Sequence, residues 1–354
     1  MIRKLTISRD EQYYHAFPDV ALTRTGRLVC VISECRHHGD RSYTRIVLRH
    51  SDDRGETWSA KRYLTTPSAN LPFWNCPRIT ALRDGRLAVV VDSVGTAERS
   101  VDYHLLRNLL FLSADNGETW EGPLDTPAQG IVPDRLRELQ SGRWLLACHV
   151  QDPQTRCLTQ RLWFSDDQGR TWQGPVTVGA QAGLNLCEAS LVEVEPEGLV
   201  AFHRENSGQG WDCIKTISRD GGATWGEPVH FPLPGCHRPV AGLLHDGRLL
   251  ITFRFMQGGK GWLGAWTQNF FGALTDRSSA LAPSRKEAWT RIFPIDYDRS
   301  PKSDLGYSGW VQFADGTVFI VGYIVDDWPR GQIRGYVLDP ADLLLPAPPE
   351  AGSR

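Results

Sequence analysis

Ionisable and phenolic side chains recur at fixed places around six glycines, each of which joins two strand-like apolar runs, as in TRTGRLVCVI and LHDGRLLITF. The glycines are Gly26, Gly85, Gly142, Gly198, Gly247 and Gly316. The runs before them begin with YHAFPD, WNCPR, VPDR, NLCE, CHRP and GYSGW. These phrases contain His15, Asp19, Asn75, Arg78, Asp134, Arg135, Glu188, His237, Arg238 and Tyr307.

The second run of each pair returns to the same end about seven residues after its glycine. It carries there Glu34, Arg36, Asp92, His149, Arg204, Arg254 and Tyr323. Serine, threonine or aliphatic residues would serve a purely structural protein at these places. The concentration of titratable groups therefore predicts a functional site where the strand ends meet.

Several of these side chains suit cleavage of a bond next to an anionic group. Tyr307 is a poor nucleophile at its ordinary pKa of about 10. Glu188 in contact with it could accept its proton and leave a phenolate that attacks carbon. Arg204 and Arg238 offer planar forks that hold a carboxylate by two hydrogen bonds, so we predict an acidic substrate.

A second repeat positions these residues. The phrase Ser-x-Asp-x-Gly-x-Thr-Trp occurs at Ser51–Trp58, Ser113–Trp120, Ser165–Trp172 and Ser218–Trp225. Each start lies 62, 52 or 53 residues after the one before, the period of one four-stranded sheet. The aspartate can accept hydrogen bonds from its own turn and the glycine supplies a positive φ. We interpret the phrases as structural hairpins and not as metal loops.

Six glycine turns, four of them followed by this phrase, and scarce helical periodicity predict an all-β fold. We expect a six-bladed β-propeller with four-stranded antiparallel blades. A single domain is predicted over residues 1–345, and the proline-rich residues 346–354 are predicted to be a flexible tail. Either the N-terminal strand (3–8) or the C-terminal strand (332–338) would complete the last blade. The Asp phrases should lie on one rim, away from the central funnel.

Composition narrows the classes of partner. The 354 residues have a formal net charge of −2, which gives no strong positive field for nucleic acid or an anionic membrane. The N-terminus lacks the apolar core of a signal peptide and no apolar run reaches membrane length. We therefore predict a cytoplasmic protein, or a secreted or periplasmic one if a leader has been removed. Eight cysteines without a CxxC pair are expected to be buried reduced thiols. No cofactor or metal site is predicted, because no ligand spacing or phosphate-binding loop is present. The sequence leaves the oligomeric state open.

The repeats and the strand-end residues resemble the sialidase (neuraminidase) superfamily of six-bladed propellers with Asp-box, or BNR, repeats, over roughly residues 10–340. The resemblance implies Tyr307 as nucleophile and Glu188 as its partner. It implies Asp40 in RHHGD, beside His37 and His38, as the acid/base residue.

The same resemblance implies Arg204 and Arg238 as two of three arginines that hold the substrate carboxylate, and Asp92 as a contact to sugar hydroxyls. Sialidases begin the first blade with Arg-Ile-Pro, where this chain has Ala16-Phe17-Pro18. One arginine is thus missing, unless a neighbouring arginine replaces it. Further predicted substrate-binding residues are Arg36 and Arg78 as replacements, His15 beside the vacated place, and Asp134, His149 and His237.

These residues favour an exo-α-sialidase-type glycoside hydrolase for an acidic sugar, retuned from sialic acid because of the missing arginine. Two alternatives remain open. A uronic-acid polysaccharide lyase would use the arginines to neutralise the carboxylate, His149 or His237 to abstract a proton, and Tyr307 to donate one. A non-catalytic glycan-binding propeller would need none of this chemistry. Trp74, Trp211, Trp262 and Trp310 are available to stack on sugars, although blade packing is the simpler role.

Overall fold

The computed structural model describes residues 2–96, 103–257 and 267–343. Within these ranges, 24 strands form six four-stranded antiparallel sheets, which confirms the predicted all-β propeller. Helical structure between the last two strands of blade 5 is limited to a five-residue helix α1 (Arg277–Leu281) and a single 3₁₀ turn (Arg285–Glu287). Among the described residues, no helix has the length and hydrophobicity to span a bilayer.

Each blade is built in chain order from its inner strand outwards. Blade 1 contains β2 (Tyr14–Leu22), β3 (Leu28–His37), β4 (Asp40–Ser51) and β5 (Arg62–Tyr63). Blade 2 contains β6 (Phe73–Ala81), β7 (Leu87–Val94), β8 (Leu106–Ser113) and β9 (Glu121–Gln129). Blade 3 contains β10 (Arg137–Glu138), β11 (Trp144–Gln151), β12 (Leu158–Ser165) and β13 (Gln173–Gly179).

The remaining blades follow the same order until the last. Blade 4 contains β14 (Leu186–Glu195), β15 (Gly198–Glu205), β16 (Cys213–Ser218) and β17 (Val229–Phe231). Blade 5 contains β18 (Cys236–Leu243), β19 (Leu249–Gln257), β20 (Thr267–Thr275) and β21 (Arg291–Tyr297). Blade 6 contains β22 (Leu305–Gln312), β23 (Val318–Ile324), β24 (Gln332–Leu338) and, outermost, β1 (Arg3–Ser8).

Both ends of the described chain close blade 6. Strand β1 pairs antiparallel with β24, with Arg3 opposite Val337. The two strands proposed as alternatives for completing this blade are therefore both used. The predicted domain end at residue 345 and the predicted tail, residues 346–354, lie outside the described residues.

The hydrophobic core lies between neighbouring blades. One buried cluster joins Val29 and Ile46 of blade 1 to Ile79, Val89 and Phe111 of blade 2. Alternating side chains of each twisted sheet face one neighbour or the other, so the β-branched runs of the inner strands are buried on both sides. All eight cysteines are free, seven of them buried, as the sequence predicted.

The Asp boxes are closed by their own hydrogen bonds. In the second box, Asp115 accepts from the backbone N–H of Thr119 at 2.8 Å and from its hydroxyl at 2.5 Å. Hydrogen bonds from Thr119 lower the pKa of the Asp115 carboxyl to about 2. The Trp120 indole donates to the Gly117 carbonyl oxygen at 3.2 Å. The boxes follow the third strands, at the end opposite the pocket described below, which agrees with a structural role.

A buried ionic cluster around Asp19 ties four blades together near the axis. Asp19 is fully buried and accepts from Arg135 Nε at 2.8 Å and from the Ile79 backbone N–H at 3.0 Å. Arg78 Nε lies 3.2 Å from the same carboxylate, and its Nη1 donates to the Ser308 carbonyl oxygen at 2.8 Å. The Asp19 carboxylate of blade 1 thus binds groups of blades 2 and 3, and Arg78 extends the cluster to blade 6.

Candidate active site

A pocket of about 390 Å³ opens where the inner strands begin. Side chains of five blades meet there. The described residues that line it are Phe17, His38, Arg41, Asn75, Cys76, Ile131, Val132, His149, Val150, Gln151, Leu158, Cys187, Glu188, Asn206 and Tyr307. Its size and mixed polar and apolar lining are typical of a small-molecule site.

In five of the six blades, the backbone takes the same unusual shape at or just before the start of the inner strand. Phe17, Val132, Glu188, Arg238 and Tyr307 have φ values of 52°, 51°, 47°, 49° and 45°. The strand register shifts around Phe17, Glu188, Arg238 and Tyr307, as expected for β-bulges. Left-handed non-glycine residues cost on the order of 1–3 kcal/mol each and cluster at functional sites. Four of these five side chains line the pocket.

A recurring proline marks this position in the sequence. Proline follows Phe17, Cys76, Val132 and Arg238, one residue before the regular part of each inner strand. Proline restricts the residue before it and cannot donate to the strand ladder, so its recurrence at strand heads marks the bulges.

Tyr307 and Glu188 form the centre of the pocket floor. The Tyr307 hydroxyl donates to Glu188 Oε1 at 2.5 Å, the contact that the sequence predicted. Arg204 Nη1 donates to both Glu188 oxygens, at 2.9 and 3.0 Å. Arg204 Nη2 donates to Asn206 Oδ1 at 2.8 Å. The carboxylate is therefore oriented from one side by the arginine and presents one oxygen to the phenol.

The surrounding charges fix where the proton rests. Burial opposes ionisation of Glu188, but the nearby charges of Arg204 and Arg254 hold the pKa of its carboxyl far below the ordinary value. Burial and the Glu188 charge raise the pKa of Tyr307 well above its usual 10. The proton of this hydrogen bond therefore rests on the Tyr307 oxygen. The Arg238 and Arg254 guanidinium carbons lie 5.6 and 5.4 Å from the centre of the Tyr307 ring, where they stabilise negative charge on it.

The arginines differ in how they reach the pocket. Arg204 is paired with Glu188, and Arg238 and Arg254 lie against the Tyr307 ring, but none of the three is among the described lining residues. Arg238 donates to the Pro133 carbonyl oxygen at 2.7 Å, while its Nε and Nη1 are buried without a hydrogen-bond partner among the described residues. Arg41 is the one arginine among the described lining residues.

Arg41 was not predicted from the sequence. It is the second residue of β4, and its guanidinium lies 5.3 Å from the Phe17 ring centre. Its Nε and Nη1 are buried with no hydrogen-bond partner in the described part of the chain. Its only sequence signal is that it directly follows Asp40.

Asp40 does not enter the pocket. It starts β4 on the outside of the hairpin, is exposed, and accepts from the Ser42 backbone N–H at 2.9 Å. His38, at the tip of the same hairpin, lines the pocket instead, and its Nδ1 lies 2.6 Å from Asp304 Oδ2. Asp304 was missed by the sequence analysis, although an acidic residue directly before the strand LGYSGWVQ was visible. The acid/base role assigned to Asp40 stays a prediction that this geometry does not favour.

Three other predicted substrate-binding residues lie away from the pocket surface. His15 is fully buried within blade 1, with Nδ1 3.0 Å from Ser8 Oγ and Nε2 3.0 Å from Glu34 Oε2. Arg36 is exposed and stacks over the Tyr13 ring. Arg78 belongs to the Asp19 cluster, where burial lowers the pKa of its guanidinium to about 9. Neither arginine fills the place of the missing one.

Asp92 and Asp134 are buried below the floor and bond backbone groups. Asp92 accepts from the N–H groups of Cys76 at 2.7 Å and Val132 at 2.9 Å, which joins blades 2 and 3. Asp134 accepts from the Leu191 N–H at 2.8 Å, which joins blades 3 and 4. Their assignment to substrate binding also stays a prediction.

The two remaining histidines predicted to bind substrate lie in different cavities. His149 lines the pocket, and its Nδ1 accepts from the Glu188 backbone N–H at 3.4 Å. His237 lines a smaller neighbouring cavity together with Trp211 and Met256. Trp310 is buried and donates to the Val240 carbonyl oxygen at 3.1 Å, a packing role, and Trp262 lies outside the described residues.

Comparison with known proteins gives a family match over most of the chain. A family described as a BNR repeat-like domain matches residues 72–320. A sialidase of Clostridium perfringens is 24% identical over 214 residues, which cover 53% of this chain and 54% of that protein. A sialidase of Bacteroides fragilis is 29% identical over 133 residues, which cover 35% of this chain and 23% of that protein. The chain spans about half the length, or less, of the curated relatives it matches.

Solved structures show the same fold. A protein of unknown function from Dyadobacter fermentans aligns with a TM-score of 0.79 at 21% identity, over 96% of this chain and 99% of that one. A Trypanosoma rangeli sialidase in complex with sialic acid aligns with a TM-score of 0.67 at 16% identity, over 97% of this chain and 59% of that one. At these identities the likeness establishes the fold alone.

Proposed function

Because the chain belongs to the BNR repeat-like family of sialidase-superfamily propellers, we propose that it is a retaining exo-glycosidase of sialidase type, acting on an acidic sugar. The proposal is carried by the 2.5 Å hydrogen bond between Tyr307 and Glu188 in a pocket of monosaccharide size.

The reaction proceeds in two displacements. Tyr307 Oη bonds to the anomeric carbon as the bond from that carbon to the leaving oxygen breaks, and the phenolic proton passes to Glu188. A water molecule then displaces Tyr307, which recovers its proton from Glu188. Two inversions retain the configuration, and a tyrosine nucleophile is the known sialidase exception among glycosidases. A phenol is suited to an anomeric carbon beside a carboxylate, because a carboxylate nucleophile would be repelled there.

Charge around the pocket supports an anionic substrate. Arg41, Arg204, Arg238 and Arg254 surround a site in which Glu188 offsets one positive charge. The Arg41 guanidinium lies beside the Phe17 ring in the pocket lining, and its Nε and Nη1 have no hydrogen-bond partner among the described residues. A substrate carboxylate that reaches these groups can form charge-assisted hydrogen bonds with them. Ala16 and Phe17 make the first blade apolar at the place of the sialidase arginine, so we propose an acid group displaced towards Arg41 relative to that of sialic acid.

A release assay tests this proposal. The purified chain should liberate free sugar with retained anomeric configuration from one or more acidic aryl glycosides, such as sialosides, other 2-keto-acid glycosides or uronides. The corresponding neutral glycosides should be cleaved at least about 10-fold less efficiently. A product absorbing in the near ultraviolet would instead identify a lyase, and glycan binding without any product would identify a binding propeller.

The role of Arg41 can be measured separately. Arg41→Gln should raise KM for the acidic glycoside by about 10- to 100-fold, because a charge-assisted contact contributes about 1.5–3 kcal/mol. Cleavage of a neutral glycoside should change little. Arg36→Gln, which removes an exposed arginine from the same hairpin, is the matched control. Equal losses on acidic and neutral substrates would show that Arg41 does not read the charge.

A further inference from the structure

We propose that His38, oriented by Asp304, is the group that protonates the leaving oxygen and then activates water in this site. The proposal rests on the glycosidase function above. It assigns to a histidine–aspartate pair the step for which the sequence had suggested Asp40.

The blade 1 hairpin decides which side chain faces the substrate. Strand β3 ends at His37 and β4 begins at Asp40, so His38 and Gly39 form the tip. Only His38 and Arg41 of this segment line the pocket among the described residues. Asp40 and Ser42 face solvent and bond each other. The tip therefore places the imidazole of His38 in the pocket lining, where the carboxylate of Asp40 was expected.

His38 lies within reach of a sugar bound to Tyr307. Its ring centre is 5.3 Å from that of Phe17, in an edge-on arrangement, and Phe17 is 4.7 Å from the Tyr307 ring. Both groups thus flank one apolar side chain of the pocket wall.

Asp304 fixes the imidazole. Its Oδ2 lies 2.6 Å from His38 Nδ1 and also accepts from the Tyr14 hydroxyl at 2.5 Å, while Oδ1 accepts from Tyr323 at 2.7 Å. Burial opposes ionisation of Asp304, but these hydrogen bonds hold the pKa of its carboxyl below the ordinary value. With Nδ1–H bonded to the carboxylate, Nε2 is the atom left to exchange a proton with substrate. No described residue hydrogen-bonds that nitrogen. The same carboxylate–imidazole logic orients histidine bases in other hydrolases.

The proton balance closes over the two steps. In the first, Nε2–H of the imidazolium gives its proton to the glycosidic oxygen as the carbon–oxygen bond breaks, and the alcohol leaves. In the second, neutral Nε2 takes a proton from the attacking water, whose oxygen bonds to the anomeric carbon as the bond to Tyr307 breaks. One glycoside and one water become one sugar and one alcohol, and His38 regains its starting state.

Leaving-group dependence distinguishes an acid catalyst from a structural residue. In the full chain, His38→Gln should lower kcat/KM for a glycoside with a poorly acidic alkyl leaving group by about 10²- to 10⁴-fold. A 2,4-dinitrophenyl glycoside, whose leaving group needs no proton, should lose less than about 5-fold. Asp304→Asn should show the same pattern with a smaller loss, because Asp304 is a positioning residue. Thermal melting and a second variant, His38→Asn, guard against misfolding.

Two neighbours of His38 serve as matched controls. Asp40→Asn and His37→Gln should leave both substrates within about twofold of wild type. A selective loss on the alkyl glycoside in Asp40→Asn, or equal losses on both substrates in His38→Gln, would overturn the assignment to His38. If wild type cleaves neither glycoside, the proposed function fails and this inference fails with it. If wild type cleaves both glycosides and His38→Gln cleaves them at the same rates, this inference is refuted and the proposed function stands.

Discussion

Replacing Tyr307 with phenylalanine should lower kcat for release of an acidic sugar by about 10²-fold or more, with little change in the melting temperature. The variant removes the nucleophilic oxygen but keeps the ring, which packs 4.7 Å from Phe17. Glu188 stays paired with Arg204, so no buried charge loses its main partner. Kinetics on the best aryl glycoside and a thermal melt give both quantities.

The matched control for this experiment is Tyr336→Phe. Tyr336 is also a buried tyrosine bonded to a carboxylate, Asp296, at 3.0 Å, but it lies in β24 away from the pocket. We expect this variant to keep the normal kcat. Tyr307→Phe turning over at the wild-type rate would exclude the covalent mechanism proposed here.

Replacing Asp19 with alanine should lower the free energy of unfolding by about 3–5 kcal/mol, because it leaves buried Arg78 and Arg135 without their counter-charge. The Ile79 N–H would lose its acceptor as well. Urea denaturation measures the change. Gly309→Ala should act on the same cluster, since its Cβ would lie 1.9 Å from Asp19 Oδ1.

An exposed aspartate provides the comparison. Asp40→Ala removes a solvated carboxylate whose partner is one backbone N–H, and it should change stability much less than Asp19→Ala does. If Asp19→Ala were no more destabilising than Asp40→Ala, the axial cluster would not hold the ring together.

The propeller could be read from the sequence because its signals are local. A glycine turn and an Asp box each specify a hairpin within about ten residues, and their period sets the number of blades. Comparing the starts of the inner strands likewise predicted that Tyr307 and Glu188 lie together. These residues occupy the bulge at the strand head, and its backbone turns the side chain into the pocket.

The direction in which each side chain points near the propeller axis could not be predicted from the sequence in the same way. Asp92, Asp134 and Arg78 occupy strand ends as the pocket residues do, yet they face neighbouring blades and satisfy backbone groups there. Side chains alternate with period two, so a shift of one residue exchanges pocket for interior. In the blade 1 hairpin the chain reverses at His38 and Gly39, outside any regular alternation, and this turn places His38 in the pocket lining and leaves Asp40 exposed. The contact of His38 with Asp304 joins residues 266 positions apart, which no local pattern reveals.

The left-handed bulge at the strand heads makes the fold of the propeller independent of which side chain faces the pocket. Phenylalanine, valine, glutamate, arginine and tyrosine all occupy this position within one chain, so the local backbone shape tolerates very different side chains. The shape comes from the bulge and, in several blades, from the proline that follows. Substitutions at these few positions, in evolution or in a directed-evolution library, can therefore change the ligand preference of the propeller without changing its fold.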